Sequence, residues 1–546
     1  MKSIIKYTLI GAFTMSLATA CTNSFEDINT NPNEAHDKDM EKDNLSTGAF
    51  FTQMQNNVVL YKDGAGNESS DYQVCQGLSH DLYSGYIGPT GTWASGSHNG
   101  TYKMTWYEQM FTKPFSRVMP AWQSLVKAAE KGNQPEIKAL ADIIKVEAMH
   151  RVTDTYGPIP YINYGSGSLG TAFDSQQEVY KKFFAELDDA IDVLTPLASA
   201  GATLMQDYDN VYDGSVKNWV KFANTLRLRL AIRVAYADAA LARTEAEKSI
   251  NNVIGVIEAV DEHAELLHSK LNYYHPNYDM QETFNAGEIR MSAAMDSYMN
   301  GYNDPRRTAY FKTAADDGGY HGVRCGTGNI SSKVSAYAGA KISKLNIDKT
   351  TTPIVWMTAA ESYFLRAEGA LRGWNMGGTA QHFYEAGVKI SFQEAGVSGA
   401  DNYLANDELT PAAYEDKTGD GNDAASPSSI TIAWDESAGF EKNLERIITQ
   451  KWIAMYPDGP EGWSEFRRTG YPKLFPVVRN DSNGKISTSV QIRRLPYPQS
   501  EYTTNSAGVN SAVSVLNGES NNGTGDNGGT TLWSVSYTHL TLPTIL

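Results

Sequence analysis

The sequence predicts a mainly α protein: tetratricopeptide-like helix pairs forming a single large domain, with long loop-rich ligand-binding insertions. Three observations predict it. Apolar residues recur at helical spacing in well-separated windows. Serine or threonine stands three residues ahead of glutamate where helices should open. Long irregular stretches lie between the windows. Composition agrees, because 41% hydrophobic and 20% charged residues in a chain of 546 exclude collagen-like, coiled-coil and wholly disordered classes.

Taken in order, Glu136 to Val152 places Ile137, Leu140, Ala141, Ile144 and Ala148 on one helical face. Ser175-Gln176-Gln177-Glu178 is a capping box, in which serine and glutamate each satisfy the other's free backbone N–H. It opens a helix with Tyr180, Phe183, Leu187, Ile191 and Leu194 on one side. Asn218 to Ala235 carries Trp219, Phe222, Ala223, Leu226 and Leu230, with Arg227, Arg229 and Arg233 distributed around them. Thr358-Ala359-Ala360-Glu361 reads as a second capping box, Gly373 as that helix's end, and Phe383 to Phe392 as its return partner. Leu444, Ile448, Trp452 and Met455 mark a further helix. Small residues at the contact positions of these pairs give the tetratricopeptide-like reading. The stretches 61–120, 262–350 and 397–440 are irregular, and Asn-, Gly- and Ser-rich 505–530 reads as a surface excursion. The expected organisation is a leader over 1–20, an anchor and tether over 21–45, the binding domain over 46–535 and a non-native tail over 536–546.

The amino end points outside the cytoplasm. Lys2 and Lys6 precede an uncharged stretch from Tyr7 to Ala20, shorter than the ~20 residues a membrane span needs, so it reads as a cleaved signal. Leu17-Ala18-Thr19-Ala20-Cys21 resembles a bacterial lipobox, with Ala18 where leucine is usual. Cys21 is therefore the expected lipidated first residue, held at a membrane by its acyl chains. Cys75 and Cys325 are too few for a disulfide framework, and two buried free thiols are expected. A net charge of −17 disfavours nucleic acid as a partner. The chain's 31 Tyr and 10 Trp suit neutral polar ligands.

Catalytic motifs fail. Gly165-Ser166-Gly167-Ser168-Leu169-Gly170 matches a dinucleotide pattern, but the next helix opens behind its own cap at Ser175, so a connector is expected and no cofactor. No phosphate-binding loop, Gly-x-Ser-x-Gly or His-Glu-x-x-His occurs, and His263 and His268 do not share a helical face. Asp416-Lys417-Thr418-Gly419-Asp420-Gly421 begins like a calcium loop, but Pro427 stands where a bidentate acid is required. Asp416 and Asp420 are the weak metal candidates, and no metal is expected. Asp304-Pro305-Arg306-Arg307 reads as an acid–arginine pair fixing a turn.

Several segments in order resemble the SusD/RagB family of nutrient-binding outer-membrane lipoproteins, nearest its SusD-like group two branch. They are Phe25 to Asn33; Asp154-Thr155-Tyr156-Gly157-Pro158-Ile159-Pro160-Tyr161; Asp213-Gly214-Ser215 leading into Trp219 to Arg229; Asp304-Pro305-Arg306; Ala360 to Glu368; Gln450-Lys451-Trp452; Arg467-Arg468-Thr469-Gly470-Tyr471-Pro472; and Arg493-Arg494-Leu495-Pro496-Tyr497-Pro498. The resemblance spans most of the chain. It implies four tetratricopeptide-like pairs supporting a loop-rich ligand face, and a partner SusC-like TonB-dependent transporter on which the lipoprotein sits as a lid. The acids of Ser24-Phe25-Glu26-Asp27 resemble an export signal to the outer face of the outer membrane. Buried arginines near Glu361, Glu368 and Glu465 are expected to pair with acids.

The family's ligand residues vary with the ligand, so chemistry nominates candidates. A sugar ring stacks its C–H face on an aromatic plane while its hydroxyls take amide or acid partners. His80 to Trp106 holds Tyr83, Tyr86, Trp93, Tyr102 and Trp106 among glycines, with Asn99 nearby, and glycine-rich backbone is expected to leave some rings exposed. Asn272-Tyr273-Tyr274-His275-Pro276-Asn277-Tyr278 is the second candidate. The named ligand candidates are Trp93, Tyr86, Tyr102, Asn99, Tyr274, Tyr278 and Tyr302, with Tyr337 and Trp434 behind them. The expected function is a surface lipoprotein that binds oligosaccharides and passes them to its transporter. A peptide-binding lid is the alternative and a surface hydrolase a third class.

Overall fold

The computed structural model describes residues 45–63, 67–92, 97–166, 170–327 and 336–535. The leader, Cys21, the tether to residue 44, Trp93 and the tail from 536 therefore lie outside the described residues. The chain divides into two units, Met1–Ala49 and Phe50–Leu546, and the second carries the scaffold.

Helices α1 (Met119–Lys131), α2 (Pro135–Tyr156), α3 (Gln176–Ser199), α4 (Val216–Arg233), α5 (Ala239–Asn251), α6 (Ala359–Leu371), α7 (Ala380–Glu394), α8 (Phe440–Ala454) and α9 (Gly459–Thr469) form the scaffold. Helix α2 lies between α1 and α3, α4 between α3 and α5, and α6 against α4, α7 and α8, giving the tetratricopeptide-like, mainly α architecture. The apolar stripes named from spacing are the buried ones: Phe183, Leu187, Ile191 and Leu194 on α3, and Trp219, Phe222, Leu226 and Leu230 on α4. Ser175 closes its capping box, accepting from Glu178 N at 3.2 Å while its own N–H donates to Glu178 Oε2 at 2.9 Å.

The second box is half of one. Thr358 Oγ1 accepts from Glu361 N at 3.3 Å, but the Glu361 carboxylate does not return. It takes Arg229 Nε at 2.7 Å and Nη2 at 2.6 Å instead, because a buried guanidinium claims a buried acid more strongly than an amide does.

That pair belongs to a charged core. From residue 139 α2 is buried on every side, including Lys145, Glu147, His150, Arg151 and Asp154. Arg229 also reaches Glu147, Arg233 binds Asp154 at 2.8 Å and Glu461, and Arg468 grips Glu368 and Glu465 at 2.6 Å each. Lys451 lies 3.2 Å from Glu461. An ion stranded in this interior would cost several kcal/mol, roughly 3–5 when one partner is removed, so the charges fix which helix faces meet. Arg306 follows the same rule, gripping Asp304 at 2.6 Å and Gln450 at 2.7 Å from full burial.

Two short antiparallel ladders join the insertions. Strand β1 (Ile87–Pro89) pairs with β3 (Ile289–Met291), Ile87 opposite Met291, and β2 (Ala264–Glu265) pairs with β4 (Val355–Met357). The first ladder zips 61–120 to 262–350.

The 505–530 stretch corrects the expected excursion. Ser506–Glu519 is a helix, α10, with Val509, Ala512 and Leu516 buried. Gly157, at φ +86°, ends α2, and a Cβ there would meet Leu516 and Leu532 at 2.9 Å, so the glycine both turns the chain and seats this helix. Asp526 anchors the segment to Arg494 and Tyr502. Cys75 and Cys325 are free thiols, one buried and one half-buried, and burial pushes both up to about 12.

Candidate ligand-binding face

Four sequence-predicted candidates are not at the surface. Tyr86 is fully buried, its ring stacked on Trp452 at 5.3 Å and its hydroxyl donating to the Trp452 carbonyl at 2.7 Å. Tyr102 is buried below the loop beside Tyr83, 6.4 Å between centroids. Asn99 is buried too, with Oδ1 accepting from Thr105 N at 2.8 Å and Oγ1 at 2.9 Å. Tyr302 donates to the Ile430 carbonyl at 3.0 Å from full burial. The expectation that glycine-rich backbone keeps rings exposed fails because distant elements supply the cover. A Cβ at Gly462 of α9 would stand 2.9 Å from the Tyr86 ring, so a glycine far along the chain makes the room.

Tyr274 is 41% exposed, and Tyr278 is half-buried beside it. The Lys349 ammonium lies 4.4 Å from the Tyr274 ring centroid and 5.7 Å from that of Tyr278. Tyr274 N donates to the Lys62 carbonyl at 2.9 Å, which holds this strand-like segment while its ring faces solvent. Trp106 is 45% exposed. Its φ of +51° is a left-handed value that a bulky residue adopts only under constraint. Among the described residues Trp106, Tyr274 and Phe440 are the exposed aromatic side chains, and Phe440 belongs to the start of α8.

The segment holding Trp93 is fastened on both shoulders. Thr90 N donates to the Glu288 carbonyl at 2.9 Å, and Asp481 N to the Thr101 carbonyl at 2.7 Å. Arg479 reaches Ser97 Oγ at 3.4 Å. His98 Nδ1 accepts from Gly100 N at 3.0 Å, and burial lowers its pKa to about 3, so the ring stays neutral and that bond survives at ordinary pH. The end of β1, the residue before β3 and the 479–481 segment thus flank this loop.

Among the lesser candidates, Tyr337 is buried and donates to Asp416 Oδ2 at 2.9 Å, and Trp434 Nε1 donates to Glu436 Oε2 at 2.7 Å. The Asp416 carboxylate also accepts from Thr418 N, Thr418 Oγ1 and Asn422 Nδ2, so protein donors fill it, while Asp420 is exposed. Among the described residues no group of three or more His, Cys, Asp or Glu is placed to hold a metal. The sequence placed Trp106 among the rings of the His80–Trp106 loop without nominating it as a ligand residue, and Lys349 was not singled out. A left-handed φ carries no residue signature when the residue is tryptophan, and one lysine in a polar loop carries none at all.

Comparison with known proteins gives a consistent answer. A family model described as SusD-like, the SusD and RagB outer membrane lipoproteins, matches residues 27–535. A chitin-binding SusD homologue from Flavobacterium johnsoniae is 43% identical with a TM-score of 0.83, covering 90% of this chain and 98% of its own. SusD homologues from Bacteroides thetaiotaomicron and Bacteroides uniformis are 39% and 37% identical, with TM-scores of 0.81 and 0.82; each covers 90% of this chain and 99% of its own. No match was found among curated proteins. No helix among the described residues is long and apolar enough to cross a membrane.

Proposed function

The chain belongs to the SusD/RagB family of outer-membrane lipoproteins, and we propose that it is a non-catalytic binding protein that captures oligosaccharides and delivers them to a partner SusC-like TonB-dependent transporter. Lipid on Cys21 holds it at the outer face of the outer membrane. The observation that carries the ligand class is the exposure of Trp106 and Tyr274, which with Phe440 are the exposed aromatic side chains among the described residues. Exposing such a ring forfeits roughly 2 kcal/mol of burial, and a pyranose C–H face is the surface that recovers it.

Tyr274, Tyr278, Trp106 and Trp93 supply the stacking planes. The Lys349 ammonium beside Tyr274 supplies a donor for a sugar hydroxyl. The interior carboxylates of Glu361 and Glu368 are engaged with Arg229 and Arg468. The chitin-binding relative at 43% identity supports a glycan over a peptide.

The test uses the soluble chain starting after Cys21 on glycan and peptide arrays, followed by titration of the best ligand. Oligosaccharide retention that disappears in the Trp93→Ala, Tyr274→Ala double variant without loss of folding is the expected result. Retention of peptides alone, or hydrolysis of the bound glycan, overturns the reading. Unchanged affinity in the double variant moves the site to another face.

A further inference from the structure

Lysines of this chain that are kept from full exposure are paired, with one exception. Among the described residues, every buried or half-buried lysine other than Lys349 has a carboxylate oxygen within 3.2 Å of its ammonium. Lys62, whose carbonyl takes Tyr274 N, holds Glu68 at 3.0 Å. Lys270 and Lys344, in the same insertion as Lys349, hold Asp213 at 2.5 Å and Glu282 at 2.7 Å. With 63 acids against 46 bases in the chain, partners are plentiful. Lys349 is half-buried and lacks one.

The reason is local. Acids beside the cluster in sequence are committed elsewhere. Asp348 Oδ1 accepts from Thr350 N at 2.8 Å and from Thr351 N at 2.9 Å, closing its own turn. Asp279 is buried and accepts from Ser69 Oγ at 2.5 Å and Thr283 Oγ1 at 3.2 Å. What the Lys349 ammonium meets instead is two rings, Tyr274 at 4.4 Å and Tyr278 at 5.7 Å to their centroids. The arrangement is held by backbone, since the Lys349 carbonyl accepts from His275 N at 2.8 Å, between the two tyrosines in sequence.

The chemistry of these groups narrows the ligand. Neither the Tyr274 nor the Tyr278 hydroxyl has a hydrogen-bond partner among the described residues. An ammonium only donates, and a phenol donates readily. The carboxylate that would accept a proton from a neutral sugar's hydroxyl is missing from the ammonium's reach. A cluster of donors around stacking planes is complemented by an acceptor that carries charge, because hydrogen bonds to ionised groups are the stronger ones.

We infer that Tyr274, Tyr278 and Lys349 recognise an acidic sugar, a ring bearing a carboxylate or a sulfate. Its C–H face lies on Tyr274, and its anionic oxygens accept from the Lys349 ammonium. This rests on the oligosaccharide reading above and narrows it from glycans in general to those that carry anions. The chain's net charge of −17 repels densely charged polymers at a distance, so the fitting ligand carries isolated anions among neutral sugars.

The test applies the soluble chain starting after Cys21 to an array of neutral, uronate-bearing and sulfated oligosaccharides with acidic peptides beside them. The strongest binders should carry an anion, and the uronate and sulfate sets tell which. Calorimetry then compares the best ligand with its methyl ester or desulfated form, which loses the charge and keeps the sugars. Removing the charge should weaken binding about tenfold. Lys349→Gln should cost the acidic ligand the same factor and the neutralised one nothing further, while Lys349→Arg restores most of the affinity. Strongest binding to neutral glycans, or acidic binding indifferent to Lys349→Gln, overturns the inference. If those neutral glycans are lost in Tyr274→Ala, the oligosaccharide reading stands and only the acidic class falls. If acidic peptides bind and no glycan does, or nothing binds, both fall.

Discussion

Arg229 sits with its side chain wholly excluded from solvent between Glu361, Glu147 and Glu461, while Lys349 lies over the open face of Tyr274. Both are cations near favourable partners, yet they do different work. In the scaffold every charge has protein ligands, so the geometry is closed and nothing from outside can compete. In the loop layer the ammonium lies against the Tyr274 and Tyr278 rings, an interaction worth roughly 0.5–1 kcal/mol at an exposed site. A sugar can displace that contact. The difference separates residues that specify which helices pack from residues that remain available to a ligand.

The comparison breaks most visibly in the scaffold. Arg229→Met should lower unfolding free energy by about 3–5 kcal/mol, because Glu147 and Glu361 are left buried and under-compensated. Denaturant titration measures it. A loss below about 1 kcal/mol would mean that these charges do not specify the packing. The next effect depends on pH. Burial alone would raise the Glu368 carboxyl, but the Arg468 and Arg372 guanidiniums outweigh it and hold the group at about 2, against an ordinary value of 4.5. A depressed carboxyl stabilises the fold fully above pH 4.5, and that contribution drains away as pH falls toward 2. Glu368→Gln should therefore destabilise by on the order of 3 kcal/mol at neutral pH, with the gap from the native chain closing across that acid window. A gap that stays constant from pH 7 to pH 2 would refute the charge-based account and leave a packing defect.

How far the sequence exposed these two regions follows from the range of the forces involved. The stripes of α3 and α4 were legible because helical periodicity is local, and so was the Ser175–Glu178 cap, whose partners lie three residues apart. The Thr358–Glu361 cap was half legible: the hydroxyl side is local, but the glutamate's true partner, Arg229, lies 132 residues away. The exposure expected of Tyr86 and Tyr302 failed for the same reason. Gly462 and Trp452 cover the first and Ile430 holds the second, and no local pattern announces them. Helix α10 was missed because its stripe of Val509, Ala512 and Leu516 is diluted by serine, asparagine and glycine that normally mark loops. Family resemblance carried what local physics could not, namely the order of the buried arginine motifs.

In the loop layer the expected effect is on binding. Trp106→Ala together with Tyr274→Ala should weaken oligosaccharide binding about tenfold or more while shifting stability by less than about 0.5 kcal/mol. Calorimetry and thermal unfolding of the same preparation read both. A large stability loss with unchanged affinity would place these rings in the scaffold class despite their exposure.

The smallest effect is the sharpest discriminator, since it removes the same atom in both regions. Tyr302→Phe deletes a hydroxyl that donates to the Ile430 carbonyl at 3.0 Å, leaving that buried acceptor unpaired while the ring keeps its contacts with Tyr298 and Tyr403. The cost should be about 1 kcal/mol of stability, with glycan affinity unaltered. Tyr274→Phe deletes a hydroxyl in water, so stability should not move, and because the stacking plane survives affinity should fall by less than about threefold. The two variants differ only in what surrounds the lost oxygen. If Tyr302→Phe weakens glycan binding while stability holds, then a ring with 2% exposure is contacting ligand. Burial in the free protein would then be no guide to which rings a glycan meets, and the division between a closed scaffold and an available loop layer would have to be redrawn around whatever motion uncovers Tyr302.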